Sequence, residues 1–278
     1  MTTTLRPAEP EHVLRDGTRS RSYDICVNSR VVGGVRLRAE PELAGPGSVG
    51  RMDRLRVEEP DRRRGRATVA ALAGEEVLRG WGCRRMWVSV PATAVEARQL
   101  AQALGYRETN CHLTKALSAP PELPPGTTVR PLTEEEFPAW SAASHAQFVE
   151  SCVAQGLDRA HSEARSRSDF AELLPRGPAS SDVLLLVANH RGQDVGTLWL
   201  ALHEPVDRGG FVYSVAVVEE HRGRGHGRAL MHIAEREVLA AGGSRLALNV
   251  FAHNTTARAL YDGLGYELML SHYAKPLL

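Results

Sequence analysis

Apolar and β-branched residues dominate Tyr23–Val27 and Val31–Ala39, on either side of Asn28-Ser29, with strict alternation over Val35–Ala39, and the two runs read as a pair of strands. A third strand is expected at 50–58, a helix at 65–80, a strand at 84–90, a helix at 93–104 and a closing strand at 106–115. Leu117–Gly126 then holds four prolines in ten residues, which favours an extended, semi-rigid linker. Beyond it, residues 128–131 read as a strand, and Thr133-Glu-Glu-Glu136 offers the cap and acidic first turn of a helix. Two helices fill 133–174 and end at Leu174-Pro175. A hairpin follows, with strands at 181–190 and 195–204 around the turn Arg191–Asp194. Strand 210–218 leads into a helix at 225–241, where Ala229, Leu230, Ile233 and Ala234 recur at helical spacing. Strand 244–251, helix 255–264 and a final strand pair up to Pro276 complete the chain. This order predicts an α/β (α+β) layer fold, a mixed sheet flanked by helices.

The pattern occurs twice. Arg62-x-x-Gly65-x-Ala67 returns as Arg222-x-x-Gly225-x-Gly227, and Leu104-Gly105-Tyr106 as Leu264-Gly265-Tyr266, both at an offset of 160 residues. Aligned without a gap, 17 of the 57 positions in 50–106 match 210–266. A unit this long is a domain rather than a solenoid repeat, and 278 residues suit two domains. The expected division is 1–117, a linker at 118–127, and 128–278. The second copy also owns a leading strand and two helices, 128–175, that the first copy has no room to build.

Composition narrows the function classes. A net charge of +1 offers no general electrostatic case for nucleic acid or membrane binding. Of 34 basic residues only Lys115 and Lys275 are lysine, which reads as arginine codon bias. Four cysteines without C-x-x-C spacing suggest reduced thiols, and eleven scattered histidines show no metal-ligand spacing. The amino-terminal residues lack an apolar signal region and no apolar run approaches membrane-spanning length. The expectation is a cytoplasmic protein without a metal. A homodimer is compatible with the pattern, but nothing in it specifies one.

The strand–turn–helix at 211–234 carries the candidate chemistry. Gly223, Gly225 and Gly227 let backbone amides approach an anion, and the following helix start adds unpaired donors and a positive dipole end. Arg222, Arg224 and Arg228 add charge for a pyrophosphate or a ribose phosphate. The plainer alternative is a tight turn with solvated arginines. Farther on, Asn254 stands at a helix start and Tyr261 on the stripe Ala257, Leu260, Tyr261, Leu264, so a cap and a core tyrosine explain both. The first copy has Ala94 and Ala101 at those two positions. Packing there tolerates their loss.

Together, Arg222-x-x-Gly225-x-Gly227, Asn254, Tyr261 and Leu264-Gly265-Tyr266 resemble the GNAT (GCN5-related) N-acetyltransferase superfamily. Residues 128–278 resemble it well, and 20–117 resemble it as a shorter, degenerate copy. The resemblance implies acetyl-CoA as co-substrate, its pyrophosphate on main-chain amides of 222–228, His226 included. It implies a pantetheine arm alongside Val215 and Val217, Asn254 as a contact to that arm, and Tyr261 as the acid that protonates the departing thiolate. A phenol of ordinary acidity suits that role. Related enzymes often hold a carboxylate near the positions of Ser214 or Ala216, where this chain has none; Glu219 and Glu220 lie at the strand's end.

The expected function is acetyl transfer to a primary amine of a small molecule or peptide by direct attack, with chemistry in the second half. On this view residues 124–278 alone keep activity unless the halves share an essential apolar interface. Two alternatives stand beside it. One is a non-catalytic acetyl-CoA sensor or scaffold; the other is a tandem enzyme resembling mycothiol synthase, which also pairs a degenerate half with a working one.

Overall fold

The computed structural model describes residues 2–42, 47–203 and 209–277. Residue 204, the expected end of the second hairpin, lies outside them. The chain divides into two compact units, Met1–Thr109 with Leu270–Leu278, and Asn110–Met269.

In unit 1, β1 (Thr3–Pro7) pairs antiparallel with β3 (Arg19–Val27), as does the short β2 (His12–Val13). β3 pairs with β4 (Arg30–Pro41) and β4 with β5 (Ser48–Val57), both antiparallel. α1 (Arg66–Gly80) then leads to β6 (Cys83–Pro91), parallel to β5, and α2 (Val95–Ala103) follows. The first copy therefore does possess a leading strand. Thr3–Pro7 is too short to show an alternating pattern, and its place is set by the ladder to β3. What the first copy lacks is the pair of helices.

β7 (Arg107–Ala116) follows, and its residues from Asn110 onward belong to unit 2. There β8 (Thr127–Pro131), β9 (Val183–His190), β10 (Gln193–Ala201) and β11 (Gly210–Val217) pair successively antiparallel. α3 (Phe137–Val153) and α4 (Arg159–Leu173) lie between β8 and β9 in the chain. The chain enters α3 through the expected cap: Thr133 N–H donates to Glu136 Oε2 at 2.9 Å, Glu136 N–H to Thr133 Oγ1 at 3.2 Å and Phe137 N–H to Thr133 O at 3.1 Å. α5 (His226–Ala240) covers one face of the sheet, with Leu230, Met231, Ile233, Ala234 and Val238 in one buried cluster with Leu198, Leu200, Leu246 and Leu248. Trp140, Leu174 and Trp199 form a separate cluster with Leu185 and Val187. This is the mixed α/β sheet flanked by helices that the sequence implies.

β12 (Arg245–Phe251) and α6 (Thr255–Asp262) follow, then one strand, β13 (Glu267–Pro276), in place of the expected pair. It contains no reversal, so Leu270–Pro276 run as a continuous antiparallel partner of β6. Likewise Asn110–Ala116 run antiparallel to β12. Each unit is thus completed by the closing strand of the other copy. Cys111, Leu113 and Leu117 enter the core of unit 2, and Tyr273 and Leu277 that of unit 1.

The chain's two lysines fix these strands. Lys115 Nζ donates to both oxygens of buried Glu235 on α5 at 2.8 and 2.9 Å, and Lys275 Nζ to both of Glu75 on α1 at 3.0 and 2.7 Å. Codon bias explains the abundance of arginine but not these two exceptions, which serve one contact in each unit. Gly50 and Gly210, identical in the repeat, also have a packing reason. A Cβ there would come 2.9 Å from Leu78 Cδ1 and 2.2 Å from Val238 Cγ2, so glycine at both places lets the helix lie close over the strand. The four cysteines are free and buried. Among the described residues no helix is long and apolar enough to cross a membrane, and no group of three or more His, Cys, Asp or Glu could hold a metal ion.

Candidate active site

β11 and β12 are parallel only over Gly210–Val212, paired with Leu246–Leu248, and then separate. In unit 1, β5 and β6 do the same after Arg51 and Trp87. Among the described residues, Ser214–Val217 then have no ladder partner on that side. Val218 N–H bonds Val195 O at 3.0 Å, so by the alternation of an antiparallel ladder Val217 and Val215 direct their amides away from β10, into the opening. An extended polar arm can pair there as a strand would. In unit 1 the opening is a cleft of about 1150 Å³, lined by Val57, Gly65, Val88, Ala94 and Ala101 among others.

At the end of β11 the chain passes through a single turn of 3-10 helix, Glu219–His221, into the glycine turn. Gly223 and Gly225 have φ of 74° and 84°, and no atom lies within 4 Å of where either would carry a Cβ. Gly225, in the left-handed region, is the N-cap of α5, and no side chain among the described residues caps the first amides of the helix. Arg222 Nε donates to Val217 O at 3.4 Å, as Arg62 Nε does to Val57 O at 2.9 Å. The motif arginine thus ties the turn to the strand in both copies. Arg228 Nη1 donates to Gly263 O at 3.3 Å, joining α5 to the end of α6. Arg224 is exposed. The His226 side chain lies against His190 and His221, with ring centroids 5.2 and 6.0 Å away.

Asn254 caps α6, its Oδ1 accepting from Ala257 N–H at 3.1 Å. Ala94 occupies the same place in unit 1 with no side-chain cap. Tyr261 is 8% exposed, and its hydroxyl forms no hydrogen bond among the described residues. Burial pushes its phenol up to about 12. Its ring meets Tyr266 edge-on at 5.9 Å, Tyr266 donates to Glu235 Oε1 at 3.1 Å, and Glu235 holds Lys115. In unit 1 the chain Tyr106–Glu75–Lys275 is the same, but it ends at Ala101. The ladder is therefore part of the fold, and Tyr261 is the polar group added to it.

No carboxylate faces the opening from β11, since Ser214 and Ala216 stand at the expected positions, and Glu219 and Glu220 are exposed beyond its end. An aromatic group that sequence periodicity did not reveal lies against this strand. Trp140 and Phe170 meet Trp199, which meets Tyr213 at 4.9 Å, and Tyr213 meets Phe211 at 4.9 Å. His112 stands 6.0 Å from Phe211, and burial lowers its basicity. Only the presence of Trp and Phe on helices 133–174 could have hinted at this group. Its assembly is tertiary.

The sequence profile of the Acetyltransferase (GNAT) family matches residues 2–106 and again 152–266. The chain belongs to this family. It is 30% identical over 263 residues to a mycothiol acetyltransferase of Streptomyces griseus, covering 91% of this chain and 78% of that protein. It is 32% identical over 146 residues to an uncharacterized N-acetyltransferase of Bacillus subtilis, YdgE, covering 51% of this chain and 92% of that one. A solved GNAT N-acetyltransferase from Sphaerobacter thermophilus covers 92% of this chain and 80% of its own, with a TM-score of 0.58 at 20% identity, a likeness of fold. This GNAT acetyltransferase thus carries the family's domain twice in tandem.

Proposed function

We propose that unit 2 transfers an acetyl group from acetyl-CoA to a primary amine, with Tyr261 as the acid. The observation that carries this reading is the opening between β11 and β12, with an uncovered glycine turn at one end and a buried tyrosine near it that the other copy lacks. The residues suit the donor. The amides of Gly225–Gly227, at a helix start without a side-chain cap, favour a pyrophosphate. Val215 and Val217 offer backbone pairing to a pantetheine arm, with Asn254 nearby in the chain order of the family's motif.

In the proposed step the amine nitrogen, uncharged after losing a proton to water, attacks the thioester carbonyl carbon. A C–N bond forms and the C–S bond breaks. The departing thiolate takes the phenolic proton of Tyr261, and the tyrosinate is reprotonated from solvent. The amide of Val217 faces the opening and is suited to receive the developing oxyanion. The missing strand carboxylate leaves amine deprotonation to water.

Release of free CoA thiol with primary amines, recorded for the wild type and Tyr261→Phe, tests the reading. Turnover that survives the substitution removes Tyr261 as the acid, and no turnover with any amine favours a CoA-binding module. A second reading concerns the acceptor. Similarity to the mycothiol acetyltransferase extends over 91% of this chain, so a mycothiol-type acceptor is favoured. Mycothiol without its acetyl group should then outcompete simple amines; equal rates would reject it.

A further inference from the structure

A smaller cavity lies behind the glycine turn of unit 2, and the repeat shows what belongs in it. Gly33 opposes Val57 and Gly196 opposes Val217, so the two hairpins correspond at an offset of 163 and Arg30 matches Gln193. Past the strand the offset is 160 again, so Asp61 matches His221 and Arg66 matches His226.

In unit 1 these positions form a closed ion cluster. Arg30 donates from Nη1 and Nη2 to the two Asp61 oxygens, each at 2.8 Å, and Arg66, in the first turn of α1, pairs with the same carboxylate. Asp61 is 3% exposed. A carboxylate between two guanidiniums at a helix start is well placed electrostatically.

In unit 2 the carboxylate is gone. Gln193, His221 and His226 border a cavity of about 290 Å³, together with His190, Arg191 and Arg224. Every titratable side chain in that lining is basic. His226, 9% exposed, makes no hydrogen bond among the described residues, and its ring contacts are to His190 and His221. Burial, and then His190, His221 and Arg224, lower its basicity, as expected for a base among cations with no counter-anion.

We propose that this cavity binds an external phosphate dianion or phosphate monoester, in the place that the Asp61 carboxylate holds in unit 1. The donors are imidazole and guanidinium groups, with the positive end of α5 behind them. Two arginines in the lining oppose a metal cation. The phosphate can come from solution or from a phosphate of the co-substrate itself.

The test uses the whole chain and inorganic phosphate, followed by calorimetry and by the imidazole proton resonances. Saturable one-to-one binding that raises the His226 pKa is expected. Competition by CoA but not by CoA lacking its 3′-phosphate assigns the site to that group of the co-substrate; no competition by either assigns it to free phosphate. The combined variant Gln193→Arg, His221→Asp, His226→Arg installs the unit 1 cluster and should weaken phosphate binding at least about tenfold, as expected when an internal carboxylate fills the site. Should that variant fail to fold, Arg191→Ser with Arg224→Ser should weaken binding by a similar factor. Phosphate that leaves the three imidazoles unshifted in the wild type, or that binds a folded variant of either kind unchanged, overturns the proposal.

Discussion

The two units keep the same separating strands, arginine-tied turn and buried Tyr–Glu–Lys ladder, yet differ at nearly every position that could do chemistry. Unit 2 has Asn254 and Tyr261 where unit 1 has Ala94 and Ala101. At the second position of the turn, Gly223 (φ 74°) corresponds to Arg63, which holds a left-handed φ of 57°. A side chain in that conformation costs about 1 kcal/mol and stands beside the amides that a phosphate would approach. Unit 1 therefore reports what the fold alone requires, and what remains after subtraction is the candidate chemistry of unit 2. In both copies the motif arginine also ties the turn to its strand, Arg222 as Arg62 does.

The largest expected effect concerns the exchanged strands. A fragment of 124–278 leaves β12 without its antiparallel neighbour and Glu235 without Lys115, so it should show no cooperative melt by circular dichroism, whereas 110–269 should melt cooperatively. A folded 124–278 would break the view that unit 2 needs the closing strand of the first copy. Next, Tyr261→Phe should lower turnover by about a hundredfold or more with acetyl-CoA affinity little changed, measured as kcat and the dissociation constant separately. Lys115→Met should cost about 2 kcal/mol in thermal or denaturant melts, less than a fully buried pair because the lysine is partly exposed. It should also lower turnover through Tyr266 and Tyr261. Lys275→Met should destabilise alike and leave turnover intact, and equal losses from both would sink the assignment of catalysis to one unit.

Gly225→Trp should weaken CoA binding to unit 2 by about tenfold or more, since a side chain at that φ is strained by 1–2 kcal/mol and lies in the phosphate approach. Calorimetric stoichiometry then shows whether unit 1 retains a site, and Gly65→Trp is its control. The smallest effect is in pH. Tyr261 is raised to about 12, so it stays protonated at neutral pH, and its contribution to stability is fully present below about pH 10 and lost as pH rises toward 12. Turnover with saturating amine should therefore not fall between pH 8 and about 10; an alkaline fall in that window would point to another acid.

Much of this was readable from local pattern. The hairpin around Arg191, the glycine turn and α5 follow from spacing within a few tens of residues, and the contrast at Tyr261 from the repeat at an offset of 160. The aromatic group under Tyr213 was not readable, because Trp140, Phe170 and Trp199 lie on elements well separated in the chain. The His190–His221–His226 lining was not readable either, because only the pairing of β9, β10 and β11 sets His190 against His226. Nor could sequence separate the roles of Arg222, Arg224, Arg228 and His226, four basic residues within seven positions that face different neighbours.

By itself the sequence determined that the domain occurs twice and that one copy lost its tyrosine and asparagine, since repeats and substitutions are properties of order along the chain. Tertiary structure alone decided that each copy's last strand closes the other unit, and that the chain's two lysines hold those strands in place. Strand pairing and buried ion pairs join residues more than a hundred positions apart, and no local periodicity encodes which partner a strand will take.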